Sequence, residues 1–64
     1  MNKIKESLRL ELDDLSCKIA KLALFKVSSD FYNLDEASQF LIETQLEVMK
    51  IYEFTLQKRI DNLK

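Results

Sequence analysis

The sequence predicts an all-α fold, an antiparallel two-helix hairpin that assembles into a homo-oligomeric helical bundle. Three observations predict it. The 64 residues include no glycine and no proline, whereas sheets and tight hairpins need turn residues with positive φ. Apolar residues recur at alternating steps of four and three along both halves of the chain, the rhythm of a heptad seam. A polar interruption at Ser28-Ser29-Asp30 separates the two halves.

The first helix is expected from about residue 2 to 27, with Asn2 as N-cap. Its seam is Leu8, Leu12, Leu15, Ile19 and Leu22, and Lys26 in the next slot marks the seam's end. The connection spans about 28–34, where Ser29 is expected to cap a short turn that presents Phe31 and Leu34 as a plug. The second helix is expected over about 35–63, starting at Asn33 or Asp35, with Asp35 and Glu36 favoured at its positive dipole end. Its seam reads Ile42, Leu46, Met49, Glu53, Leu56, Ile60 and Leu63. Folding the halves together pairs residues whose numbers sum to about 64: Leu22 with Ile42, Leu15 with Met49, Leu8 with Leu56, Ile4 with Ile60. A single continuous helix is the rival, and it would leave Phe31, Tyr32 and Leu34 exposed at a break.

A chain this short is one domain, 1–64, with a marginal core. Small proteins compensate with disulfides, metals or oligomerisation. Cys17 is the only cysteine and there is no histidine, so an internal disulfide is impossible and a zinc site is not expected. Oligomerisation remains. A second apolar line, Leu10, Cys17 and Leu24, lies nearly opposite the first seam; Leu41, Val48, Ile51 and Phe54 lie off the second. One hairpin buries one face of each helix, so these seven residues are the expected oligomer interface. Scattered surface leucines are the plainer reading.

Composition narrows the function. Charged residues make up 33% and apolar ones 47%, too apolar for disorder. A net charge of −1 gives no global attraction to nucleic acid polymers. No apolar run reaches the roughly 20 residues of a membrane span, and the charged start Met-Asn-Lys-Ile-Lys-Glu-Ser is unlike a signal peptide. A cytoplasmic location is expected. With no histidine and no glycine-rich loop, no catalytic constellation is present, and neither enzyme activity nor a cofactor is expected. The carboxylate pairs Asp13-Asp14 and Glu43/Glu47 read as solvated acidic faces rather than cation ligands, and Cys17 as packing rather than nucleophile. Glu53, a polar residue in the seam, is either a register device or a side chain that reaches solvent or Arg9.

One arrangement is more specific. Gln45, Tyr52 and Arg59 recur every seven residues on one flank of the second seam; Glu11, Lys18 and Phe25 do so on the matching flank of the first. An antiparallel pair puts both flanks on one side. Lysine and arginine offer charge-assisted hydrogen bonds to phosphate or carboxylate, and aromatic rings stack on planar bases. Lys18, Phe25, Gln45, Tyr52 and Arg59 are therefore the candidate ligand site. The same residues also suit inter-helix salt bridges that set orientation.

The string Lys18-Ile19-Ala20-Lys21-Leu22, then Phe25, Ser29, Phe31 and Leu34, then Gln45-Leu46, Met49, Tyr52 and Arg59-Ile60, resembles a group of small helical proteins of bacteriophages and prophages. The resemblance covers about residues 8–60. Small early phage proteins often oppose host immunity, some of them, of unrelated folds, as homo-oligomers that sequester nucleotide signals between chains; this chain is similar to those by analogy of size, assembly tendency and strip chemistry, so a counter-defence role is the expectation. Three readings stand: a sponge for a small anionic nucleotide signal, a helical inhibitor or adaptor that docks on a host protein, and a purely structural coiled-coil protein.

Overall fold

The computed structural model describes residues 3–63. The chain forms α1 (Lys3–Lys26), α2 (Ser29–Tyr32) and α3 (Glu36–Asp61). The two long helices lie side by side in a rod of 48 × 14 × 12 Å. The N-cap expected at Asn2 falls outside the described residues.

The seams assign themselves by burial. Leu8 and Leu15 of α1 and Leu46, Leu56 and Ile60 of α3 are buried, and Leu12, Ile19, Leu22, Ile42, Met49 and Leu63 are half-buried. Leu8, Leu15, Leu56 and Ile60 form the core cluster, with Leu56 at 0% exposure. So few buried side chains give a thin core, and most of the rod's surface stays in water.

The connection closes without glycine because no described residue needs a positive φ. Ser28, rather than the expected Ser29, caps α2. Its φ of −86° and ψ of 159° are extended, and its Oγ accepts from the Phe31 N–H at 3.3 Å. The same hydroxyl donates to the Phe25 carbonyl at 2.6 Å. One serine thus ties the end of α1 to the start of α2. Phe31, 2% exposed, is the plug over the hairpin end and meets Phe25 edge-on at 6.2 Å; Leu34 is only half-buried. Asp35 starts α3: its carboxylate accepts from the Ser38 N–H at 3.2 Å. Hydrogen bonds from Ser38, hydroxyl first and backbone second, hold the Asp35 carboxyl below its ordinary pKa. Gln39 Nε2 donates to the carbonyls of Leu34 and Tyr32, which supplies the partners that the end of α2 lacks.

Two packing expectations are corrected. Glu53 is half-buried and accepts from Ser16 Oγ at 2.7 Å, so its partner is Ser16 and not Arg9. Ser16 and Glu53 also reset the register: pairing at a sum of about 64 would put Ser16 beside Val48. The observed alignment is displaced by five residues, about 7 Å at 1.5 Å per residue. This slide carries Ile4 past Ile60, and Ile4 is 63% exposed.

Candidate functional site

Shallow grooves run between α1 and α3 among the described residues. Two lie on one flank. The first, about 490 Å³, is lined by Lys5, Arg9, Asp13, Asp61 and neighbours. The second, about 390 Å³, includes Asp13, Lys50, Glu53 and Phe54. Cations and carboxylates are interleaved there, so the field at either groove is close to balanced.

The groove on the opposite flank differs. It is about 310 Å³ and is lined by Lys18, Lys21, Leu22, Phe25, Gln45 and Met49. Two ammonium groups border an apolar floor and no carboxylate is in the lining. The helices dictate this. Leu22 and Met49 are seam residues and make the floor. Phe25 stands at the closed end, braced edge-on by buried Phe31. Gln45 Nε2 leans on Met49 Sδ at 3.9 Å, and its amide remains exposed.

Lys18 pairs with Asp14 at 3.1 Å across one helical turn, with side chains 64% and 68% exposed. Such a surface pair contributes only about 0–1 kcal/mol, so Lys18 can turn to an incoming anion at small cost. Lys21 makes no ion pair among the described residues. The groove therefore offers two cations for phosphate or carboxylate, one aromatic face and one amide.

The structure brings together Lys18, Phe25 and Gln45 of the candidate strip. Tyr52 and Arg59 lie on the same flank one and two heptads beyond Gln45, about 10 and 21 Å along α3. Tyr52 is 42% exposed. Within one hairpin, neither lines the groove. Lys21 was missed by counting in sevens. It stands three residues after Lys18 and four before Phe25, which is the other helical neighbour spacing. Among the described residues no cluster of acidic, histidine or cysteine side chains suits a metal, and no helix is long and apolar enough to cross a membrane.

The remaining candidate positions form a surplus apolar surface. Leu10 (68%), Leu24 (72%), Leu41, Val48, Ile51 and Phe54 are exposed, as is Cys17. Lys58 Nζ lies 5.3 Å above the Phe54 ring.

These features define a class: a small all-α hairpin with a cation-edged apolar groove and a second, uncovered apolar face. The chain belongs to the Sequestin family, whose profile matches residues 2–62. The family's name is consistent with a sequestering role. No curated protein and no solved structure matches the chain.

Proposed function

We propose that this protein is a non-enzymatic, homo-oligomeric phage accessory protein that sequesters a small anionic nucleotide-type immune signal in the host cytoplasm. The observation that carries the reading is the groove at Lys18, Lys21, Phe25 and Gln45, which combines two cations with an aromatic face and lacks a carboxylate. Membership of a family named for sequestration and the resemblance to small phage proteins support it. A shallow groove on one hairpin buries little of a nucleotide, so the reading includes ligand contacts from a second chain. Tyr52 and Arg59 are the residues left to supply them.

The alternative is a helical inhibitor that docks its exposed face on a host protein. Leu41, Val48, Ile51 and Phe54, exposed on one hairpin, favour it. Calorimetric titration of purified protein with cyclic dinucleotides and ADP-ribose derivatives separates the two. The sequestering reading expects saturable binding to one of them. Lys18→Ala and Lys21→Ala should each weaken it by about tenfold or more, because a charge-assisted hydrogen bond contributes roughly 1.5–3 kcal/mol. Binding that survives both changes overturns the groove as its site.

A further inference from the structure

We propose that α3 packs against α3 of a second copy, antiparallel, about a two-fold axis level with Leu46 and Glu47. The proposal rests on the homo-oligomer in the reading above and not on its ligand; a groove that binds no nucleotide leaves it standing. The outer face of α3 carries a second seam. Ala37, Leu41, Thr44, Val48, Ile51 and Thr55 follow one another at steps of four and three, all are exposed, and no charged residue interrupts them. That spacing fits a partner that is itself a helix. The two threonines suit burial. Thr44 Oγ1 donates to the Phe40 carbonyl and Thr55 Oγ1 to the Ile51 carbonyl, each at 2.9 Å, so a covering helix leaves neither hydroxyl donor unpaired. The outer line of α1 is less continuous, since exposed Asp13 stands between Leu10 and Cys17.

Surface area sets the size of the cover. The hairpin exposes 5129 Å², whereas a compact monomer of 7.6 kDa exposes about 4,300 Å². The surplus, about 800 Å², is what one partner contributes to an interface of standard size.

Charge identifies the cover as a second copy. Glu36, Phe40, Glu47, Phe54 and Lys58 lie along one flank of the outer seam, within about 40° of one another around the helix. The two-fold of an antiparallel pair runs perpendicular to the plane of the two helices, so this flank of both copies falls on one rim. About the proposed axis Glu36 faces the partner's Lys58 and Phe40 faces the partner's Phe54, and the same pairs recur beyond the axis. Neither Glu36 nor Lys58 is in an ion pair among the described residues. Glu47 alone meets its own mate, and Lys50 of its own chain, 4.0 Å away, offsets that charge. Between the helices, Leu41 packs on the partner's Ile51 and Thr44 on the partner's Val48.

The two halves of α3 favour the same orientation. Residues 35–47 carry four carboxylates and no cation, and residues 50–61 carry three cations and two carboxylates. Antiparallel pairing sets the acidic half of each copy against the basic half of the other. A parallel pair would set acid on acid and Lys58 beside Lys58. Gln45 lies on the opposite flank, so both Lys18–Phe25 grooves open on the other face of the dimer.

Charge exchange at the rim tests the interface, read by sedimentation equilibrium at low salt, where surface charge is least screened. The native chain should sediment as a dimer. Glu36→Lys and Lys58→Glu chains should each dimerise about tenfold more weakly, because both rim pairs turn repulsive. Mixed in equal amounts, the two variants should regain the native affinity as a heterodimer in which both rim pairs attract again. Both positions are exposed, and circular dichroism checks that the helices are kept. Spin labels on Gln57→Cys in a Cys17→Ser background read the orientation, because residue 57 lies about 33 Å along the axis from its mate in the proposed pair. Labels about 30 Å or more apart support it, and labels within about 20 Å overturn it in favour of parallel pairing. A dimer that neither charge variant weakens, or that mixing fails to restore, overturns it in favour of another face. A monomer at every concentration overturns it outright.

Discussion

Ser16 Oγ donates to Glu53 Oε2 at 2.7 Å across the hairpin, joining residues 37 apart in the chain. It is a polar contact between two otherwise repetitive helices at the alignment they adopt. The hydrogen bond leaves the half-buried carboxylate partnered inside an apolar seam. Removing only the serine strands that carboxylate, whereas removing both polar groups does not. Ser16→Ala should therefore cost about 1–2 kcal/mol. The double change Ser16→Ala with Glu53→Leu should be at least as stable as the native chain. Urea unfolding followed by circular dichroism measures both. A double variant as weak as Ser16→Ala would show that the pair is not the unit of interaction.

The two apolar faces should respond differently to substitution. Leu56 is fully buried, and Leu56→Ala should cost about 2–4 kcal/mol at any protein concentration through lost burial and a cavity. Leu24 is 72% exposed on one hairpin, where Leu24→Glu should change stability by less than about 0.5 kcal/mol. If that face is covered in an oligomer, the loss is larger and depends on protein concentration. Light scattering should then show the Leu24→Glu chain at 7.6 kDa. Unchanged assembly in that variant would exclude this face from the interface.

Asp35 gives a pH signature. Its carboxyl is held below the ordinary value by Ser38, so the charged form is favoured in the folded state. Stability from this cap is fully present above the unfolded-state pKa of about 3.9 and is lost as pH falls through the lower folded value. Asp35→Ala should lower Tm at pH 7, and the gap to the native chain should close as pH drops below that window. A constant gap from pH 7 to pH 2 would mean that the aspartate acts by something other than its charged cap.

The seams were legible because burial on a helix pair repeats every seven residues, and the seam positions from Leu8 to Leu22 and from Ile42 to Ile60 are buried or half-buried, while Ile4 is exposed. The register was not legible for the same reason. Sliding one heptad helix past another by about one turn still matches leucine against leucine, so the apolar pattern does not choose between alignments; the Ser16–Glu53 pair marks the one adopted. The cap assignment slipped by one residue because Ser28 and Ser29 offer identical side chains, and only the extended backbone at Ser28 distinguishes them. On the strip, spacing by seven carried no length limit. Gln45 and Arg59 share a side yet lie about 21 Å apart, too far for one groove.

Recovery of the ligand tests sequestration most directly. Purified protein in molar excess is mixed with a cyclic dinucleotide or ADP-ribose derivative that it binds in titration. Free ligand is measured by chromatography of the filtrate, before and after heat denaturation of the protein. The account predicts a filtrate depleted of ligand before heating and full return of chemically unchanged ligand afterwards, with no depletion by the Lys18→Ala, Lys21→Ala chain. Ligand that stays free throughout, or that returns as a cleaved product, would contradict it.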